Sequence, residues 1–356
     1  MIVFLVTVIV IGVLLEFASI RGRRNPISYS CKPSVKGCEP GERFELETEF
    51  RYMGVIPALY VQIEEYFPKS LQVTENRILT VVKQSDRLIQ KCGLFIRSKE
   101  CIRRKQMVSL PERGVYTFEG CKVSQGDFLG LKQMEWEVKG QSNVYVYPQQ
   151  FKSNPLKKNL EQMYKEIALC HSLLRDTIQV VGYHDYTGQE PMKQIHFMQS
   201  ARQSKLMVRE FEYVEEQRLN LVLDLNYKGE MEYHFERLEH LLSVTRTVVE
   251  WLERKGIPYQ LITNASIPGY KVEIQSFTGD GRQNKSSLKR ILQVLARTNC
   301  GAVCSTEQLW NYVTIHKCSE VMIYMATAKE KQTEQYLRDL RRQNIQVYPF
   351  YSSEQK

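Results

Sequence analysis

The stretch that decides the fold is SARQSKLMVREFEYVEEQRLNLVLDLNYK, residues 200–228. A basic and then an acidic segment leads into an apolar run that starts at Leu219 and reaches Asp224, with Asn226 and Lys228 following at alternate positions. Such a run, bounded by polar residues, is typical of a buried strand. In open α/β sheets, ligands bind beyond the carboxyl ends of the strands. The stretch therefore predicts the first strand of an α/β domain and a candidate site at its end.

Residues 219–356 continue this pattern. Apolar runs alternate with helical periodicity over about 232–255, 285–298 and 328–343, and the runs read YQLITNA, KVEIQSF, EVMIYMAT and IQVYPFY. Alternation of strands and helices indicates a mostly parallel sheet covered on both faces. We therefore predict a doubly wound, Rossmann-like α/β domain over 219–356.

Residues 28–150 have a different spacing of apolar residues. ERFELETEFRY, ALYVQIEEY and NVYVYP alternate apolar and polar residues with a period of two, and turn sequences such as EPGE, LPERG and SQGD separate them. Several such strands without intervening helices predict an antiparallel β-sandwich over 28–150. Residues 151–218 are then a helical linker and junction.

The amino terminus is strongly apolar. Residues 1–15 carry no charge, and Arg21, Arg23 and Arg24 follow the apolar run. A span of about 20 residues crosses a bilayer core, and positive charge after the span places the remainder of the chain in the cytoplasm. The sequence therefore predicts a transmembrane anchor over 1–21, a single-pass protein of the cell membrane, and cytoplasmic soluble domains.

Composition excludes several classes. The net charge of +9 comes from Lys and Arg spread along the whole chain rather than gathered in one block, so no nucleic-acid partner is expected. The nine cysteines are scattered, which favours reduced thiols. Cys300, Cys304, His316 and Cys318 carry metal-capable side chains, but their spacing is a poor template for zinc.

Two segments carry a family resemblance. SARQSKLMVREFEYVEEQRLNLVLDLN, together with RGVYTFEGCKVSQGDFLGL and VYVYP upstream, resembles the bacterial domain of unknown function 58 family over about residues 25–350. The resemblance implies an α+β multidomain protein, in which a membrane-anchored β domain precedes a von Willebrand factor A-like domain. It also implies an adaptor that works with a MoxR-type AAA+ ATPase and a client protein. Residues 188–198 depart from the family's pattern, with Met192, His196 and Phe197 at its Arg, Asp and Trp positions.

The resemblance also implies a metal site. The family motif Asp-x-Ser-x-Ser holds Mg²⁺, whereas this chain has Asp224, Asn226 and Lys228. An Asn carbonyl can ligate a hard cation. A protonated Lys repels it by about 4 kcal/mol per unit charge pair at 4 Å and an effective dielectric constant of 20. We predict a degenerate Mg²⁺ site at Asp224 and Asn226; alternatively, Asp224 caps the following helix or pairs with Lys228.

The resemblance predicts that Arg202 and Arg209 bind the partner, although both arginines fit a solvated charged face equally well. Lys228 is predicted to meet a carboxylate of the partner directly if its side chain faces the site. The rival hypothesis is a membrane-tethered hydrolase or transferase that uses His184, His196 and Glu190 of the junction. The sequence contains no legible pairing of a nucleophile with a base. The expected function is therefore a non-enzymatic interaction protein.

Overall fold

The computed structural model describes residues 4, 7, 10, 12, 26–55, 57–73, 80–84, 86–126, 133–169, 178–188, 190, 192, 195–213, 218–226, 231–281, 285–299 and 301–352. Packing divides the chain into two units. The first comprises 1–149 with 292–298, and the second comprises 150–291 with 299–356.

Ten strands form two facing sheets in the first unit. The first sheet has the order β1-β3-β8-β5, and the second has the order β2-β10-β9-β4-β7-β6. Neighbouring strands are antiparallel except β2 and β10. The strands are β1 Ile27–Pro33, β2 Gly37–Cys38, β3 Arg43–Tyr52, β4 Ala58–Pro68, β5 Gln72–Val73, β6 Thr80–Lys83, β7 Arg87–Ile96, β8 Cys101–Ser109, β9 Gly114–Gly126 and β10 Gln133–Val146.

The alternation of apolar residues decides which side of each strand faces the core. In β3, Phe44, Leu46, Thr48, Phe50 and Tyr52 are all buried, whereas the residues between them reach solvent. Side chains from both sheets join one apolar core. The apolar alternation therefore accounts for a two-layer β structure.

A buried ion pair crosses this core. The carboxylate of Glu65, on β4, is fully buried, and it accepts hydrogen bonds from the Tyr29 hydroxyl at 3.1 Å and from the Arg104 guanidinium. Both donors lie on the opposite sheet. Gln90 also reaches across the core, to Gln106, at 3.3 Å. A charge in an apolar interior is tolerated only when it is paired and hydrogen-bonded, so these contacts fix how the two sheets face each other.

The second unit contains a five-stranded sheet of order β15-β14-β13-β16-β17. β15 is antiparallel to β14, and the other neighbours are parallel. The strands are β13 Leu219–Asp224, β14 Tyr259–Thr263, β15 Gln275–Gly279, β16 Val321–Ala326 and β17 Gln346–Tyr351. The helices after residue 150 are α1 Asn154–Leu169, α2 Phe197–Gln203, α3 Met231–Lys255, α4 Lys285–Arg297, α5 Thr306–His316 and α6 Lys331–Arg342, and residues 292–297 of α4 belong to the first unit.

Burial in this unit follows the strand and helix patterns. β13, β14 and β16 are buried at every position, as expected for strands covered on both faces. One stripe of α3 is buried, comprising Leu238, Leu241, Leu242, Thr245, Val248, Val249 and Leu252. Side chains of α5 and α6 pack against β13 and β16 in an apolar cluster. The core of the second unit therefore surrounds β13.

The predicted junction, residues 151–218, contains a two-stranded sheet and a short helix, which together are called the junction element. β11 (Ile178–Asp185) pairs antiparallel with β12 (Met207–Tyr213), and α2 lies between them in sequence. Ile195, Met207 and Val208 are buried there. The predicted helical linker over 151–218 is therefore helical only in part.

The predicted fold class is wrong in its membrane-spanning part. The described chain is rich in β-strands, and none of its helices is long and apolar enough to cross a membrane. Most of the anchor predicted over 1–21 lies outside the described residues. The predicted single-pass localisation in the cell membrane is likewise unsupported.

Removing one partner of the buried ion pair should destabilise the sandwich strongly. Arg104→Met leaves the Glu65 carboxylate buried without its countercharge, which costs about 3–5 kcal/mol. The double variant Glu65→Leu/Arg104→Met removes both charges and should lose less. Hydrogen exchange measured by mass spectrometry on peptides from β4 and β8 reports this opening free energy.

Lys105→Met is the matched control. The Lys105 ammonium pairs with Glu45 at the surface, where the two side chains are 60% and 41% exposed, so its loss should leave the opening free energy close to the wild-type value. Equal costs for Arg104→Met and Lys105→Met would contradict the role assigned to the buried pair.

Candidate functional site

Asp224 lies at the point where the chain order of the sheet reverses. β13 is central, the chain next forms β14 on one side of it, and it later returns to form β16 on the other side. Asp224 is the last residue of β13 and is only 2% exposed. This is the position at which open α/β sheets bind ligands, and the structure places Asp224 at the strand end where the sequence predicted it.

Four protein groups donate hydrogen bonds to the Asp224 carboxylate. Oδ1 accepts from the Asn226 backbone N–H at 3.0 Å, the Asn226 side-chain Nδ2 at 3.0 Å and the Asn264 Nδ2 at 2.8 Å. Oδ2 accepts from the Tyr324 hydroxyl at 2.9 Å. A carboxylate offers about four acceptor positions. Three of the four donors share Oδ1, and Oδ2 accepts one, so both oxygens are engaged and Oδ2 keeps one further acceptor position.

The same side chains tie together the loops that follow β13 and β14 and the loop that contains Val303 and Cys304. Asn264, after β14, is fully buried and accepts a hydrogen bond from the Leu225 N–H at 2.9 Å through its Oδ1. Asn226 donates its Nδ2 to the Cys304 carbonyl at 3.1 Å. The Val303 N–H donates to the backbone carbonyl of Asn264 at 2.8 Å. The carboxyl edge of the sheet is therefore held by a closed polar network.

Electrostatics reinforce the donor role of Tyr324. Burial raises the pKa of its hydroxyl well above the ordinary value, and the negative charge of Asp224 raises it further. Tyr324 therefore stays protonated and donates to the carboxylate at any physiological pH. Burial, followed by the same charge, also raises the pKa of the Cys304 thiol, which keeps that thiol in its neutral form.

These residues do not fit a divalent cation. Mg²⁺ needs about six oxygen ligands in octahedral geometry, but the Asp224 oxygens are already occupied by N–H and O–H donors. Asn226 directs its NH₂ group at two acceptors, so its carbonyl oxygen is turned away from the carboxylate. Among the described residues, no three His, Cys, Asp or Glu side chains form a group that could hold a metal.

The remaining predictions at this edge have different outcomes. Lys228 and residues 227–230 before α3 lie outside the described residues, so pairing with Asp224 and capping of that helix stay hypotheses. Arg202, on α2, and Arg209, on β12, are both exposed and belong to the junction element rather than to the Asp224 network.

The three residues of the enzyme hypothesis are only partly brought together. His184 Nε2 lies 3.5 Å from a Glu190 oxygen. Hydrogen bonds from Thr187 lower the pKa of Glu190 to about 2, which makes it a very weak base. His196 uses its Nδ1 to accept from the Gln199 N–H at 3.1 Å, as the cap of α2. This arrangement suits a structural role for His196.

The cysteines weighed for zinc are separated. The Cys304 carbonyl belongs to the network at the end of β13, whereas the Cys318 N–H donates to Asn220 near the start of that strand. Four residues of strand span about 13 Å. His316 lies beside Cys318 in sequence, and Cys300 lies outside the described residues. The described members therefore do not form one metal site.

Asn264 and Tyr324 are the site residues that the sequence reasoning missed. Asn264 had a legible signal, because it follows the buried run of β14 as Asp224 follows that of β13. Tyr324 had none. It lies inside the apolar run EVMIYMAT, where an aromatic residue is expected simply to pack in the core.

Comparison with known proteins gives distant likenesses. No protein-family model matches the chain. The uncharacterized protein YeaD of Bacillus subtilis (strain 168) is 23% identical over 264 residues, which are 74% of this chain and 60% of that protein. The chain thus spans less than two thirds of the length of this relative.

Among solved structures, the CARDB domain of a Pyrococcus furiosus protein, in complex with di-metal ions, has a TM-score of 0.22 and 12% identity; the match covers 34% of this chain and 91% of that domain. A non-cellulosomal cohesin from Archaeoglobus fulgidus has a TM-score of 0.23 and 9% identity. This match covers 34% of this chain and 91% of the cohesin. Likenesses at this level define neither a family nor a function.

Loss of the Tyr324 hydroxyl should destabilise the second unit. Tyr324→Phe removes a donor to a buried charged group, which costs about 1.5–3 kcal/mol. Urea unfolding followed by the helical circular dichroism signal measures this loss. Tyr351→Phe is the control. The Tyr351 hydroxyl donates to Glu334, whose side chain is 25% exposed, so water can replace the lost donor and a smaller loss of stability is expected. A larger loss in the control would contradict the assignment.

Proposed function

We propose that the chain is a non-enzymatic adaptor that engages a MoxR-type AAA+ ATPase and a client protein during protein or complex maturation. The identity of the ATPase class rests on the resemblance of residues 200–226 and 113–131 to the domain of unknown function 58 family. The contact with the partner is metal-independent.

One observation supports this function above the others: the polar network around Asp224 at the reversal point of the sheet. It holds the segments after β13 and β14, and the loop that contains Cys304, in one arrangement. A rigid edge costs less conformational entropy when a partner binds. The loops at this edge are where α/β sheets recognise their ligands, so the geometry suits a preformed protein-binding platform.

The network also favours metal independence. In a metal-dependent adhesion site, the partner's carboxylate would complete the coordination shell of Mg²⁺. Here the internal donors already satisfy Asp224, so exchanging them for a cation would break four hydrogen bonds. Recognition must then come from exposed side chains rather than from a bridging ion.

Binding to the ATPase should be the same with and without divalent cations. The full chain is titrated with nucleotide-free MoxR-type ATPase from the same organism, once in Mg²⁺ and once in EDTA. Omitting nucleotide removes the ATPase's own need for Mg²⁺ from the comparison. We expect dissociation constants that agree within about twofold, a difference of about 0.4 kcal/mol.

Two results would contradict the proposal in different ways. Absence of binding in both solutions would refute the adaptor function with this ATPase. Binding in Mg²⁺ that is lost in EDTA would refute metal independence and restore the magnesium hypothesis for Asp224 and Asn226.

A further inference from the structure

A β-bulge gathers three large apolar side chains on the outer face of the second sheet. The pairing of β4 with β7 shifts, so that Leu59 and Tyr60 on β4 together lie opposite Phe95 on β7. Leu59, Tyr60 and Phe95 are 44%, 55% and 52% exposed, whereas Ala58 and Val61 on either side of the bulge are buried. A bulge can re-aim a side chain in this way. We call the surface of Leu59, Tyr60 and Phe95 the bulge patch.

The bulge patch has an open floor. The Tyr60 ring lies over Gly126 of β9, where an added Cβ would stand 3.8 Å from the ring. Gly93 is exposed and lies two residues before Phe95, on the same side of β7. No described atom beyond its chain neighbours lies within 4 Å of the position that a Cβ would take there. A cluster of exposed apolar side chains marks an interaction surface, and this one has room for an incoming side chain.

The amino-terminal segment joins the sandwich at the same end. The Pro26 carbonyl, directly before β1, accepts a hydrogen bond from the Met53 N–H, directly after β3, at 2.7 Å. From Met53 a short connection leads to β4, whose second residue is Leu59. Six residues of chain span at most about 22 Å. The segment that precedes Pro26 therefore meets the sandwich within about 25 Å of the bulge patch.

That segment is apolar and long enough to reach the bulge patch. Residues 1–15 contain no charged side chain, and its described members Phe4 and Val10 are 75% and 50% exposed. Residues 16–25 connect it to Pro26 and can extend over about 35 Å. Burial of apolar surface on both sides would stabilise a contact between them.

We propose that the bulge patch is the docking surface of residues 1–15 of the same chain. Both surfaces are apolar, and the patch lies where the segment enters the sandwich. Because residues 16–25 tether the two, docking is intramolecular and the local concentration of the segment is in the millimolar range. The chain's own segment therefore competes effectively against a second copy. This inference goes beyond the proposed function and does not depend on it.

Photo-cross-linking of the full chain tests the proposal. The photoreactive amino acid p-benzoylphenylalanine replaces Phe4, and the irradiated protein is separated by mass and digested for mass spectrometry. We expect cross-links at the mass of one chain to peptides that contain Leu59, Tyr60 or Phe95. Tyr60→Ser/Phe95→Ser should lower the yield of these cross-links by about fivefold or more, because the two rings supply much of the apolar area of the patch.

Met107→Ser/Val115→Ser is the matched control. These two side chains are 42% and 37% exposed and lie toward the opposite ends of β8 and β9, since β9 pairs with β4 only from residue 120 onward. The control should keep the wild-type yield of cross-links within about twofold, because surface changes away from an interface have little effect. Circular dichroism checks that each variant keeps the wild-type fold.

The possible results either support or overturn the docking. Cross-links to the bulge patch at the mass of one chain, lost in Tyr60→Ser/Phe95→Ser and kept in the control, support it. Cross-links at the mass of two chains would make a second copy the occupant and refute docking within one chain. Absence of cross-links to the patch, or a yield that Tyr60→Ser/Phe95→Ser leaves unchanged, would refute the bulge patch as the docking surface.

Discussion

A buried carboxylate at the end of β13 constrains the carboxyl edge of the sheet in the second unit. Asp224 is 2% exposed, and a buried charge without partners costs several kcal/mol. The fold supplies those partners from its own loop and from β14 and β16, through Asn226, Asn264 and Tyr324. Each partner is then fixed in position, and through Asn226 the constraint reaches the backbone at Cys304. The carboxyl edge of the sheet is rigid because this one charge must be satisfied.

A carboxylate at a strand end could both organise the loops around it and ligate a cation, and the hydrogen bonds to Asp224 favour the first role. A carboxylate whose two oxygens both accept internal donors organises the edge, and a cation would have to compete with those donors. In the proposed function, recognition of a partner then depends on exposed side chains rather than on a bridging ion. The first unit also contains a buried carboxylate with internal donors, since Tyr29 and Arg104 of one sheet donate hydrogen bonds to Glu65 of the other. In both units a satisfied buried charge sets the geometry of neighbouring strands.

Periodicity predicted much of this architecture, and its failures have physical causes. The alternation in β3 correctly identified its buried residues, because burial follows directly from strand geometry. The apolar stripe of α3 is buried too, but Arg246 and Trp251 outside the stripe are also buried. The period of two in ALYVQIEEY puts Leu59 on the same side of the strand as Val61 and Ile63, but Leu59 is 44% exposed, since the pairing of β4 shifts between Ala58 and Val61. No pattern in one strand reveals such a bulge, which depends on its neighbour. Asp224 was located by its place at a strand end, whereas Tyr324 is 100 residues away in sequence, and only the assembled sheet brings the two together.

The most direct test of the account uses manganese as a paramagnetic probe of the strand end. The side-chain NH₂ groups of Asn226 and Asn264 both point at Asp224, so a Mn²⁺ ion bound to the carboxylate would broaden their NMR signals beyond detection. With the donors occupying the carboxylate as described, these signals should keep their intensity throughout a titration with Mn²⁺. Selective loss of the two signals, reversed by EDTA, would mean that a cation displaces the internal donors, and it would contradict the account.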